Sequence, residues 1–153
     1  MLLVDLISIT PILLKRLTNI MSGPTAEQLA AKPSEHMQQA AFFAWARTVQ
    51  WVWPCLEFMY AIPNGGFRNP AEAARFKAEG VKSGVLDICL PYPNKGYHGL
   101  YIEMKREASE GRREGRLSGE QKRWIEYLES QNYFVIVAFG YGQARSGVVD
   151  YLS

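Results

Sequence analysis

A single α/β domain is the fold class that three observations on the sequence predict. The chain has 153 residues, the length of one domain able to bury ~70% of the surface its unfolded form exposes. Its 48% hydrophobic and 21% charged residues are those of a globular chain, which excludes a disordered or collagen-like protein. Segments of helical and of strand periodicity also alternate, in the order α-β-α-β-β-α-β-α with no internal repeat. Seventeen Lys and Arg against fifteen Asp and Glu leave a formal charge of +2. A nucleic-acid partner would therefore have to be met by a local basic patch and not by overall charge. Cys55 and Cys89 supply neither a disulfide framework nor a four-thiolate zinc site, and two histidines, His36 and His98, argue against chemistry built on several imidazoles.

The first 33 residues read as an extension. Met1 to Leu14 is apolar, but Asp5 interrupts it, Pro11 breaks it, and Lys15 and Arg16 follow the apolar run where a secretory signal would carry its charges in front. The run is also too short to span a bilayer, so no membrane partner is expected and the expected location is the cytoplasm. Met21 opens a more ordinary polar start, and SGPTAEQLAAKPSE reads as a linker, so the domain is expected to occupy residues 34–153 with 1–33 partly disordered.

Ser34 caps a first helix carrying Glu35, Met37, Ala40, Ala41, Phe43, Ala44 and Trp45, which ends at Trp51-Val52-Trp53-Pro54. Leu56 to Ile62 reads as a strand, rich in aromatic and branched residues. After the loop Pro63-Asn64-Gly65-Gly66, Asn69 caps a second helix with Pro70 at its first position and Gly80 at its stop. Gly84 to Leu90 and Gly99 to Lys105 form two strands joined by the turn-rich PYPNKGYH, a hairpin. A charged loop, a helix over Ser118 to Ser130, a strand over Tyr133 to Phe139 and a short helix over Val148 to Leu152 complete the chain.

The chemistry concentrates on Asp87, Glu103 and Lys105. Along an extended strand side chains alternate, so Leu100, Ile102 and Met104 face a core while Tyr101, Glu103 and Lys105 face away from it. Glu103 and Lys105 then stand about 7 Å apart at ~3.3 Å per residue. Asp87 sits in an otherwise apolar strand, where a lone carboxylate is costly without a cation or a metal. Pairing of the two strands brings Asp87 beside Glu103, two hard oxygen donors suited to Mg²⁺. A structural salt bridge to Lys105 explains the same residues equally well. Gln121 shares the inward face of its helix with Trp124, Ile125 and Leu128, yet Ser118-Gly119-Glu120-Gln121 is also a capping box. Glu35 shares a stripe with Gln39, Phe42 and Phe43, and also suits the positive end of a helix dipole.

From about Ser34 to Leu152 the chain resembles the VRR-NUC family, a branch of the PD-(D/E)XK nuclease superfamily. The resemblance is carried by Glu35 with Gln39; Ile62-Pro63-Asn64-Gly65-Gly66 with Arg68; Lys77, Gly80, Lys82-Ser83-Gly84 and Asp87; Ile102-Glu103-Met104-Lys105; and Leu117-Ser118, Gln121 and Trp124. An acidic-x-lysine triplet alone arises by chance, whereas this run in this order does not. Leu86 stands where the family usually has proline before the motif aspartate, a position that shapes the strand entry and carries no ligand.

The resemblance implies a restriction-endonuclease-like fold, a central mixed β-sheet flanked by helices, and a metal-dependent endonuclease. It assigns Asp87, Glu103 and the main-chain carbonyl of Met104 to Mg²⁺ or Mn²⁺, with Lys105 at the attacking water and the phosphate. Glu35 and Gln121 complete the catalytic set as auxiliary ligands or supports. It also implies a homodimer cutting branched DNA such as four-way junctions, in a bacterial or phage-infected cell, with no nucleotide cofactor. DNA contacts are expected from the backbone of Asn64, Gly65 and Gly66 and from Arg68, Lys77, Lys82 and Ser83. The basic loop with Arg106, Arg112, Arg113 and Arg116 is diluted by Glu107, Glu110 and Glu114 and reads as solvated, and Trp51 and Trp53 suit packing better than base stacking. Two other functions fit the same residues: a catalytically silent nucleic-acid-binding module, and a nuclease acting on RNA or unbranched DNA.

Overall fold

The computed structural model describes residues 23–31, 34–63 and 69–153. Its elements are α1 (Ala26–Ala30), α2 (Glu35–Thr48), a 3-10 turn (Pro54–Phe58), β1 (Tyr60–Ala61), α3 (Pro70–Ala78), β2 (Ile88–Leu90), β3 (Leu100–Lys105), α4 (Gly119–Ser130), β4 (Phe134–Phe139) and α5 (Gly140–Leu152). Four strands form one mixed sheet in the order β1-β2-β3-β4. The β1–β2 and β2–β3 pairs are antiparallel, and β3 pairs parallel with β4, with α4 as the crossover that parallel strands require.

The helix starts follow from side-chain caps. Ser34, Asn69 and Ser118 each accept a hydrogen bond from the backbone N–H three residues on, which satisfies a donor that the first helical turn leaves free. On one face of the sheet α2 and α5 bury Phe42, Trp45, Ala144, Val148 and Tyr151 against Ile88, Leu90, Leu100, Ile102 and Met104. The opposite face carries Tyr101, Glu103 and Lys105, and α4 lies on it, because Gln121 reaches Glu103 there. Both faces of β3 are thus covered, and Glu103 is only 1% exposed.

Four expectations are corrected. Residues 26–30, read as linker, form α1. Thr25 and Gln28 cap it reciprocally, Ala26 is buried in the core, and the Ala30 carbonyl accepts from Gln38 Nε2 at 2.7 Å. The strand expected over 56–62 shrinks to Tyr60–Ala61 behind a 3-10 turn. Pro54 opens that turn with its φ already set near the helical value. The strand expected over 84–90 begins only at Ile88, since the residues before it are drawn toward α4. The last helix begins at Gly140, eight residues before the expected Val148. Its glycines disfavour a helix locally but permit close packing: a Cβ built on Gly147 would lie 2.7 Å from Ile136 Cδ1. Among the described residues no helix is long and apolar enough to cross a membrane.

Candidate active site

The strand register assembles the site. Ile88 pairs with Ile102, so continuing the antiparallel ladder by one residue sets Asp87 opposite Glu103. The Asp87 carbonyl accepts from Ile62 N at 2.7 Å, which ties its backbone toward β1. Its carboxylate turns the other way and accepts from Met104 N at 2.8 Å, standing in for the next strand residue. N–H and C=O of a strand residue leave on the same side, so the Met104 carbonyl is aimed at the same edge of β3 as Asp87.

Glu103 is the hub. Its Oε1 accepts from Lys105 Nζ at 2.5 Å and from Gln121 Nε2. Its Oε2 is buried and has no hydrogen-bond partner among the described residues. Lys105 is itself buried at 6% exposure, its stem packed so closely by the loop after β3 that a Cβ on Gly115 would lie 3.2 Å from Lys105 Cδ. Burial raises the Glu103 pKa to about 7; the Lys105 hydrogen bond opposes the rise, and the charges of Asp87 and Glu35 add to it. Burial likewise raises the Asp87 pKa, against the Met104 N–H and the Lys105 charge.

These groups fit a divalent cation of the hard class. Two carboxylates of raised proton affinity and one buried carboxylate oxygen without a donor are what an ion such as Mg²⁺ or Mn²⁺ would satisfy. Among the described residues no group of three or more His, Cys, Asp and Glu side chains comes together. A site here would thus rest on Asp87, Glu103, the Met104 carbonyl and water, as Mg²⁺, which keeps several waters, permits. The salt-bridge reading also holds in part, since Lys105 does pair with Glu103. That pair engages one oxygen only, and a purely structural buried pair would satisfy both.

The other expected residues divide. Gln121 makes two contacts at once: its Oε1 accepts from Ser118 N at 2.9 Å, the capping-box bond, while its Nε2 donates to Glu103 Oε1. Glu35 sits exposed in the first turn of α2, close enough for its charge to act on Glu103. Lys82 and Ser83 are exposed, and the Ser83 carbonyl accepts from Trp124 Nε1 at 3.0 Å. Lys77 lies exposed on α3, a helix with no buried residue, and among the described residues it makes no hydrogen bond or ion pair with the cluster. Asn64, Gly65, Gly66 and Arg68 lie outside the described residues. Sequence reasoning missed the Asp87–Met104 contact and the role of Gly84. The latter had a signal in its place after Lys82-Ser83. Its φ is +76°, and a Cβ there would lie 2.6 Å from Glu120 Cβ, so only glycine lets this loop touch the start of α4.

The sheet and its covering helices make a mixed α/β domain, and the comparisons with known proteins give it a nuclease-type fold. The family model of the VRR-NUC domain matches residues 25–141, beginning at the cap of α1. The chain belongs to the VRR-NUC domain family. It is similar to a solved structure described as a VRR_NUC domain protein, with TM-score 0.64 and 28% identity over 77% of this chain and 87% of that one. No curated protein matches it.

Proposed function

We propose that the protein is a metal-dependent endonuclease that hydrolyses DNA phosphodiester bonds through a PD-(D/E)XK-type site. The observation that carries the reading is the buried Oε2 of Glu103, without a hydrogen-bond partner among the described residues, beside Asp87 and Lys105. Asp87, Glu103 and the Met104 carbonyl would hold Mg²⁺ or Mn²⁺. Such an ion, when bound, supplies a water of lowered pKa and neutralises charge on the phosphate. Lys105 orients the attacking water and offsets the negative charge that grows on the phosphate oxygens. Gln121 fixes the Glu103 carboxylate by donating to Oε1, and Glu35 adds a further acidic group at the rim. The preferred substrate is branched DNA, a four-way junction above all, cut by a homodimer in the cytoplasm. A twofold dimer matches a twofold junction, and two single-site subunits can cut two strands.

The test is cleavage of labelled linear duplex, single strand, flap and four-way junction, with matched RNA, in Mg²⁺, Mn²⁺ or EDTA. Metal-dependent cutting of DNA, strongest on the junction and absent in Glu103→Ala, is the expected result. Binding without cutting under either metal would replace the enzyme with a silent binding module. Preference for RNA or for unbranched duplex would replace the substrate.

A further inference from the structure

A groove of about 500 Å³ opens beside the candidate active site, lined by Lys82, Ser83, Glu120, Arg123, Trp124 and Tyr127. The size falls in the roughly 300–1,000 Å³ range of small-ligand sites. Its position is fixed by α4, because Trp124 follows Gln121 by three residues, ~4.5 Å of helix rise. Its rim is fixed by Gly84, whose missing Cβ lets the Lys82–Ser83 loop lie against Glu120.

The lining has two chemistries. Trp124 and Tyr127 stand edge to face, ring centroids 6.2 Å apart at 86°, and Tyr127 is 57% exposed, unusual for so large a ring on a helix. The indole N–H is spent on the Ser83 carbonyl, which locks the ring and leaves this pair π-faces more than hydrogen-bond donors to offer. Among the described residues of the lining, Lys82 and Arg123 supply two positive charges against the single carboxylate of Glu120, a balance that favours one phosphate. Locked aromatic surface beside cationic side chains suits one nucleotide whose base is out of the stack, read by stacking and not by sequence.

We propose that this groove seats an unpaired nucleotide of the DNA strand that passes the active site, its base against Trp124 and Tyr127 and its phosphate against Lys82 and Arg123. The inference rests on the nuclease reading above and adds to it a reason for preferring DNA with unpaired positions. A fully paired strand keeps its bases stacked and cannot fill the groove, whereas a single strand, a flap or a junction whose central pair has opened can.

The experiment compares binding of a short oligothymidylate with that of an abasic oligodeoxyribose phosphate of equal length and charge, by fluorescence anisotropy in EDTA. Wild type is expected to favour the oligothymidylate by about 5- to 150-fold, as stacking of one base implies. Tyr127→Ala is expected to remove most of that preference with its melting temperature unchanged, and Tyr127→Phe to restore it. Lys82→Ala and Arg123→Ala are expected to weaken both probes alike and flatten the salt dependence. Equal affinity of wild type for the two probes, or the same preference in Tyr127→Ala, overturns the groove proposal alone if the DNA panel above is still cut. Failure of wild type both to bind either probe and to cut the panel overturns the nuclease reading with it.

Discussion

At the scale of single residues, the buried Glu103 carboxyl makes stability depend on pH. It titrates near pH 7 in the folded chain against an ordinary value of 4.5, so between those limits the folded state holds a proton that the unfolded state has lost. Without metal, this contribution to stability is therefore complete below about pH 4.5 and disappears as pH rises through about 7. The whole effect is on the order of 3 kcal/mol at about 1.4 kcal/mol per tenfold change in proton affinity. Thermal melting in EDTA should show wild type weakening across that window while Glu103→Gln stays comparatively flat; parallel profiles would remove Glu103 as the titrating group. Added Mg²⁺ should recover stability above pH 7 in wild type only. Lys105 makes a second prediction. Lys105→Met keeps much of the buried stem and removes the charge, so cleavage should fall by on the order of 10²–10³-fold in single-turnover assays. The uncompensated Glu103 carboxylate should also take up a proton at still higher pH. A variant that cuts at the wild-type rate would assign Lys105 to structure alone.

At the scale of elements, the start of α4 carries the site as much as β3 does. Gln121 reaches Glu103 only because Ser118 and Gln121 cap each other and because Gly84 lets the preceding loop close on Glu120. Gly84→Ala adds a Cβ 2.6 Å from Glu120 Cβ and 2.8 Å from its carbonyl carbon, at a φ of +76° that alanine resists. A loss of about 1–3 kcal/mol is expected, together with a fall in kcat as α4 and Gln121 shift. Denaturant melts and steady-state kinetics check both, and wild-type values in each would mean that the loop can move away at no cost. Caps are short-range devices, so Ser34, Asn69 and Ser118 could be read directly from sequence, and Glu103 and Lys105 from strand alternation. The starts of β1, β2 and α5 could not. Each is set by packing between distant segments: the loop before β2 by its contact with α4, and the glycine-bearing start of α5 by Ile136 on β4. Gln121 was ambiguous for a similar reason, since one side chain serves two partners and local spacing reveals only the nearer.

For the molecule as a whole, the boundary at Ser34 suggested by the Pro- and Gly-bearing segment falls inside the folded unit. Ala26 is buried with the core of α2 and α5, the Ala30 carbonyl takes the Gln38 Nε2 donor, and Gln38 Oε1 takes Tyr141 N at 2.9 Å. One buried glutamine thus links α1, α2 and the first turn of α5. The family match, over residues 25–141, likewise begins at the Thr25 cap of α1. The short sequence of α1 hid this, because five residues bury little apolar surface and their helix depends on tertiary contacts more than on propensity. A chain beginning at Ser34 should therefore lose the Gln38–Ala30 bond and uncover the face of α2 beneath Ala26, at a cost on the order of 2–3 kcal/mol. Its melting temperature should fall by several degrees below that of a chain beginning at Gly23, which keeps α1 and its Thr25 cap. If the Ser34 and Gly23 chains melt together, α1 is an appendage and the domain starts where the linker reading put it.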